Sequence, residues 1–115
     1  MEEKNIATDF YCRQVLSGKT AVRKVMETDN VLAFHHTKPC WPVHIIVIPK
    51  VHVDNMVTLF RLRHDLLDEM MDVLSAVIDM VRNENGGCRL TTNFGTLQAT
   101  KHLHWHVYVS ERMME

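Results

Sequence analysis

Apolar residues recur along this chain with two different periods, and the places where one gives way to the other outline the fold. Leu62, Leu66, Leu67, Met70, Met71, Leu74, Val77, Ile78 and Val81 follow three- and four-residue steps, while Asp65, Asp68, Glu69, Asp72, Asp79 and Arg82 fill the other face. That is the pattern of an amphipathic helix, and Asn85-Gly86-Gly87 stops it. Elsewhere the period shortens toward two. Ala21 to Glu27 sets Val22 and Val25 among charges, and Val31-Leu32-Ala33-Phe34 follows after the turn residues Thr28-Asp29-Asn30. The two runs predict a hairpin. Val43 to Ile48 is β-branched and nearly continuous, which predicts a central strand ended by Pro49. Cys88 to Phe94 predicts another strand, and Gly95 to Lys101 a turn into the last one, where Leu103, Trp105, Val107 and Val109 alternate with polar residues.

Two shorter helices complete the list. Asp9 is placed to cap one that runs to about Leu16, where Ser17-Gly18-Lys19 ends it. Asp54 is placed to cap another over Asn55 to Phe60. The predicted order is helix, three strands, one or two helices, two strands. Strands grouped with turn-length links argue for an α+β domain with an antiparallel sheet of five strands, one long helix and one or two short ones.

Composition narrows the class. The 115 residues make a single domain over 1–115. A net charge of −1 gives no basic footprint for nucleic acid. No apolar run approaches a membrane span, and no signal peptide is visible. Cys12, Cys40 and Cys88 are odd in number and widely spaced, as suits free thiols in a reducing compartment. The expected location is cytoplasmic.

The chemistry concentrates in His102-Leu103-His104-Trp105-His106, three of the chain's eight histidines. On a strand, period two places the three imidazoles on one face and the apolar set on the other. Such a cluster is a nucleophile, a metal site or an acid–base relay. Same-face neighbours stand about 7 Å apart and repel if protonated, so the cluster favours neutral rings. Convergence of all three on one metal is poor, because the outer pair is about 13 Å apart along a straight strand. A neutral imidazole attacking phosphorus is the other use, and His104, flanked on both sides, is the natural attacker.

His102-x-His104-x-His106-Val107-Tyr108 resembles the signature of the histidine-triad (HIT) superfamily of nucleotide hydrolases and transferases, its Hint-like branch more than its Fhit-like one. Pro39-x-x-Pro42-x-His44-x-x-Val47-Ile48-Pro49-Lys50-x-His52 is similar to the family's upstream segment, and Asn93-x-Gly95 with Gln98 to its substrate loop. The resemblance implies a HIT-like fold, a homodimer (to which the wide stripe of the long helix also points) and a purine nucleotide or nucleotide conjugate as partner. It implies a nucleotidyl-histidine on His104, phosphate and leaving-group contacts from His106, and support from His102 and His44. Phe34 and the His35-His36 segment would line the nucleoside pocket alongside Val31 or Ile48. Asn93, Gln98, Ala99 and Thr100 would face the phosphate or its loop.

Three positions depart from the family pattern. His36 stands where the Hint branch has an acidic residue that reads the ribose hydroxyls. Leu97 stands in place of a glycine before Gln98. Ala99 stands where a hydroxyl is frequent, with Thr100 or Lys101 as substitutes. Some relatives hold structural zinc through CxxC and two histidines. Here Asp9-Phe10-Tyr11-Cys12 keeps one thiol, so a closed zinc site is not expected and no cofactor is required. Asp9, Cys12 and His52 stay open as a mixed site. The leading expectation is hydrolysis of a nucleoside 5′-phosphoramidate or related conjugate. The alternatives are dinucleoside polyphosphate hydrolysis, nucleotide binding with little turnover, or a metal-binding module using Cys12, His52 and triad residues.

Overall fold

The computed structural model describes residues 11–110. A π-helical turn, Tyr11–Val15, leads into strands β1 (Lys24–Glu27), β2 (Val31–His35) and β3 (Val43–Pro49). Helices α1 (Met56–Leu62) and α2 (His64–Asn85) follow, then β4 (Arg89–Thr91), a 3₁₀ turn (Gly95–Leu97) and β5 (Trp105–Val109). The five strands form one antiparallel sheet in the order β1-β2-β3-β5-β4. This is the expected α+β architecture. Among the described residues no helix is long and apolar enough to cross a membrane.

The middle strands are apolar on both sides because both faces of the sheet are covered. On one face, α2 lays Leu66, Met70, Val73, Leu74, Val77 and Val81 against Val31, Ala33, Ile45, Val47, Leu103, Trp105 and Val107. On the other, Tyr11 and Val15 pack on Leu32, Phe34, Ile46 and Ile48. Each fully buried aliphatic side chain contributes about 1.5–3 kcal/mol, so these two layers dominate the stability. Gly86 ends α2 at φ 85°, a left-handed conformation, and its N–H returns to the Arg82 carbonyl at 2.8 Å. Glu69, on α2, accepts from Thr28 Oγ1, Asn30 N and Asn30 Nδ2 at 2.5, 2.8 and 2.9 Å, which ties the helix to the β1–β2 turn.

Several boundaries differ from expectation. β1 is shorter than Ala21–Glu27, with its register broken between Lys24 and Met26. β4 holds three residues of the Cys88–Phe94 run. Asn55, not Asp54, caps α1, its side chain accepting from Val57 N and Thr58 N. Pro49 does not end pairing. It stays in register with Val31, and its carbonyl is free to accept from the His102 ring. The last strand begins at Trp105, so His102 and His104 lie on an irregular approach to it. His102 and His104 thus precede the regular strand, yet their rings lie on the Tyr11 side of the sheet, with Leu103, Trp105 and Val107 on the α2 side. Asp9, Phe10 and residues 111–115 lie outside the described residues, and the described part of the helix expected from Asp9 to Leu16 is the π-helical turn Tyr11–Val15.

Candidate active site

Register assembles the site. β2 pairs Phe34 with Ile46 of β3, and β3 pairs Ile46 with His106 and His44 with Tyr108 of β5. Phe34, Ile46 and His106 thus form one row across the sheet. A cavity of about 370 Å³ opens over this row. Tyr11, Phe34 and Ile46 supply its apolar wall. Asn93, Ala99, Thr100, His104 and His106 close one side, and His36, Thr37 and Lys38 the other.

The histidine tautomers follow from their partners. His104 Nδ1 lies 2.8 Å from its own chain's carbonyl at His102. A carbonyl only accepts, so Nδ1 carries the proton and Nε2 keeps its lone pair. Thr92 Oγ1 donates to the His104 carbonyl at 2.8 Å and steadies this backbone. His44 Nδ1 accepts from Cys40 N–H at 3.2 Å, which puts the proton of His44 on Nε2. That nitrogen lies 2.8 Å from His106 Nδ1 and donates to it. The proton of His106 is then on Nε2. His104 and His106, whose ring centroids are 5.1 Å apart, therefore carry opposite polarity: one acceptor for attack, one donor.

Burial keeps the relay neutral. Desolvation first, and the neighbouring His36 second, push His44 down to about 4. Desolvation, then His104, His44 and His36, push His106 down to about 4. His36 is also lowered by desolvation. Its ring lies tilted against that of His44, with centroids 4.4 Å apart, and its Nδ1 accepts from Lys38 N–H at 2.9 Å.

Of the residues expected in the site, Phe34, His36, Asn93, Ala99, Thr100, His104 and His106 line the cavity, and His44 stands behind His106. His102 is fully buried, and its Nε2 donates to the Pro49 carbonyl at 2.8 Å. It serves the cavity through its own carbonyl. Gln98 does not line the cavity. It is buried, with its amide on the Asp54 carbonyl. Val31 packs under α2 and Ile48 on the layer of Tyr11 and Val15, and the aliphatic wall is Ile46 instead. The strand register would have found Ile46. Tyr11, whose ring lies 6.1 Å from Phe34 and 5.1 Å from His104, carries no signal in the local pattern, because its place depends on docking from a distant segment.

Below the cavity, Cys12, His52 and His102 offer one ligand atom each, all within 4.8 Å of one another. His102 donates Nε2–H to Pro49, which leaves Nδ1 as a lone pair 3.5 Å from Cys12 Sγ. His52 uses Nε2 on Asp54 Oδ1 at 2.9 Å. Ring nitrogens anchored on a carbonyl and a carboxylate, with a thiol between them, fit a zinc-type ion. Asp9, the other candidate ligand, lies outside the described residues. No requirement for a cofactor follows.

A family model described as the HIT domain matches residues 17–113. The chain is 35% identical over 108 residues to a 13.2 kDa HIT-like protein of Azospirillum brasilense, covering 87% of this chain and 84% of the relative. It is 31% identical over 105 residues to a 14 kDa zinc-binding protein of Brassica juncea, covering 87% and 91%. A histidine triad protein from Clostridium difficile superposes with a TM-score of 0.71 at 30% identity, covering 93% of this chain and 94% of that one.

Proposed function

The chain belongs to the HIT domain family, and from that premise we propose that it hydrolyses nucleoside 5′-phosphate conjugates, of the purine phosphoramidate kind, through a covalent adduct on His104. The observation that carries this reading is the pair of opposite tautomers side by side in the cavity wall. His104 Nε2 attacks the α-phosphorus, an N–P bond forms, and the bond to the leaving heteroatom breaks with its electron pair. The positive charge that develops on the ring faces the His102 carbonyl. His106 Nε2–H and the Thr100 hydroxyl are donors for the phosphoryl oxygens. The leaving heteroatom departs with a proton taken from solvent; water then attacks phosphorus, the N–P bond breaks with its electron pair returning to His104 Nε2, and the proton that the water gives up passes to solvent. The apolar wall of Phe34 and Ile46 suits a base.

The test is His104→Ala, assayed with an adenosine phosphoramidate and by intact-mass spectrometry. Wild type yields a mass gain of one nucleotidyl group that the variant lacks. Undiminished hydrolysis by the variant would sink the proposal. A higher kcat/KM on dinucleoside polyphosphates would favour that substrate class, and tight nucleotide binding without any adduct a binding role.

Two further readings accompany it. Cys12, His52 and His102 would hold a zinc-type ion, whose chemistry there is a structural tie between the N-terminal turn and the triad approach. A homodimer is supported by Leu62 at the end of α1 and Met71 on α2, which stay 75% and 38% exposed in the single chain. Sedimentation at micromolar concentration checks it.

A further inference from the structure

The bond from Cys40 N–H to His44 Nδ1 starts the histidine relay, and no secondary structure holds it in place. Residues 36–42 form neither helix nor strand. Pro39 and Pro42 have no N–H to give. The amides of Lys38 and Cys40 go to the imidazoles of His36 and His44 at 2.9 and 3.2 Å, and so do not tie the link to other backbone. The hold comes from the next side chain. Trp41 stacks on Tyr108, with ring centroids 5.3 Å apart and planes 18° from parallel. Tyr108 is fixed in turn by the sheet. It stands opposite His44 in the β3–β5 register, with its ring 6.0 Å from that of His44. His106 lies two positions away on the same face of β5.

These groups close a loop. Trp41 lies on Tyr108, Tyr108 lies beside His44 across two strands, His44 accepts from Cys40 N–H, and one peptide bond joins Cys40 to Trp41. Neither Trp41 nor Tyr108 belongs to the two apolar layers that cover the sheet, and Trp41 stays 36% exposed. The stack therefore builds little of the core, and its place is over the link. If the link lifts, His44 Nδ1 loses its donor, either nitrogen of that ring can carry the proton, and His106 Nδ1 loses its fixed donor. We infer that the Trp41–Tyr108 stack clamps the β2–β3 link over His44 and thereby keeps His106 facing the cavity as a donor. Trp41 is then a positioning residue that acts through His44. The effect on rate rests on the nucleotide reading above, whereas the effect on the ring protons does not.

The test compares Trp41→Ala and Trp41→Phe, each in wild type and in His44→Ala. With an adenosine phosphoramidate, Trp41→Ala is expected to lower kcat about three- to tenfold, the range that one aromatic pair is worth, with KM near wild type. Trp41→Phe keeps a ring for Tyr108 and should recover part of the rate. In His44→Ala, the loss of Trp41 should cost nothing further, because both changes break one chain of contacts. Ring ¹⁵N shifts provide the readout without turnover. His106 should read as the Nε2–H tautomer in wild type and move toward a mixture of both tautomers in Trp41→Ala. Unchanged ¹⁵N shifts of His44 and His106 in Trp41→Ala would overturn the clamp, as would losses that multiply in the double variant. A raised KM with kcat intact would also overturn it, since Trp41 would then be a surface for substrate. Absence of any hydrolysis by wild type sinks the nucleotide reading, and the ¹⁵N shifts still decide the clamp.

Discussion

His44 Nε2 sits 2.8 Å from His106 Nδ1, and a single proton placement satisfies both rings together with the Cys40 N–H behind them. His44 thus acts through His106 as a positioning residue. His44→Ala is expected to lower kcat on the order of a hundredfold with KM near wild type, the size typical of a misplaced proton donor. His44→Gln has an acceptor for Cys40 and a donor for His106, so it should recover part of the rate. Equal losses in both variants would argue that the ring is needed for packing alone.

Acid exposes the same relay. His44 and His106 are held at about 4, against an ordinary value of 6.5. At pH below 6.5 the unfolded chain takes up protons that the folded one refuses. Stability therefore falls as pH drops from about 6.5 toward 4, with little further contribution from these rings below that. Chemical denaturation at a series of pH values measures the slope. His106→Asn should flatten it.

The relay also sets the rate profile. Both rings stay neutral well below pH 6, so they contribute no fall in kcat/KM between neutral pH and about 5. A midpoint near 6.5 that shifts in His44→Gln would show that these two rings titrate as if exposed.

Metal content separates the cluster from the catalytic row. Cys12→Ser is expected to lower bound zinc, read by elemental analysis, and to lower Tm in zinc-replete buffer. Chelator should move wild type the same way. Wild type free of stoichiometric zinc after growth in zinc-supplemented medium would dispose of the site.

Core packing gives the firmest magnitude. Met70 is fully buried beneath the sheet, and Met70→Ala should cost about 2–5 kcal/mol through lost burial and the space left behind. Urea unfolding measures it. Glu69→Gln should also lower Tm, by weakening the tie to Thr28 and Asn30, while leaving kcat/KM in place.

Most of the architecture was legible because it follows from periodicity. The stripe of α2, the stop at Gly86 and the buried alternation of Leu103, Trp105 and Val107 all appear as the pattern predicts. What misled was the extension of a regular strand back to His102 and His104, not the face that their rings occupy. His102 and His104 keep the two-residue spacing, but local hydrogen bonds to Pro49 and to the chain's own carbonyl replace the strand ladder there. The family resemblance implied a phosphate contact for Gln98, and a backbone carbonyl 44 residues away claims it. Tyr11 and Lys38 were missed for the converse reason. Nothing near them in sequence says what they will meet. His36 was visible as a departure, but its contact with the His44 ring was not.

The two working imidazoles owe their polarity to different sources. His104 takes its orientation from a carbonyl two residues upstream, a relation that travels with a short piece of backbone. His106 takes its orientation from another strand and, beyond that, from one N–H in the stiff link between Pro39 and Pro42. They fail separately. Loosening that link leaves a nucleophile still aimed but a donor free to spin, so the first half of the reaction is robust and the directionality of the site is its fragile part. Damage at Cys40, exposed at the mouth of the link, would therefore register as lost fidelity before lost attack.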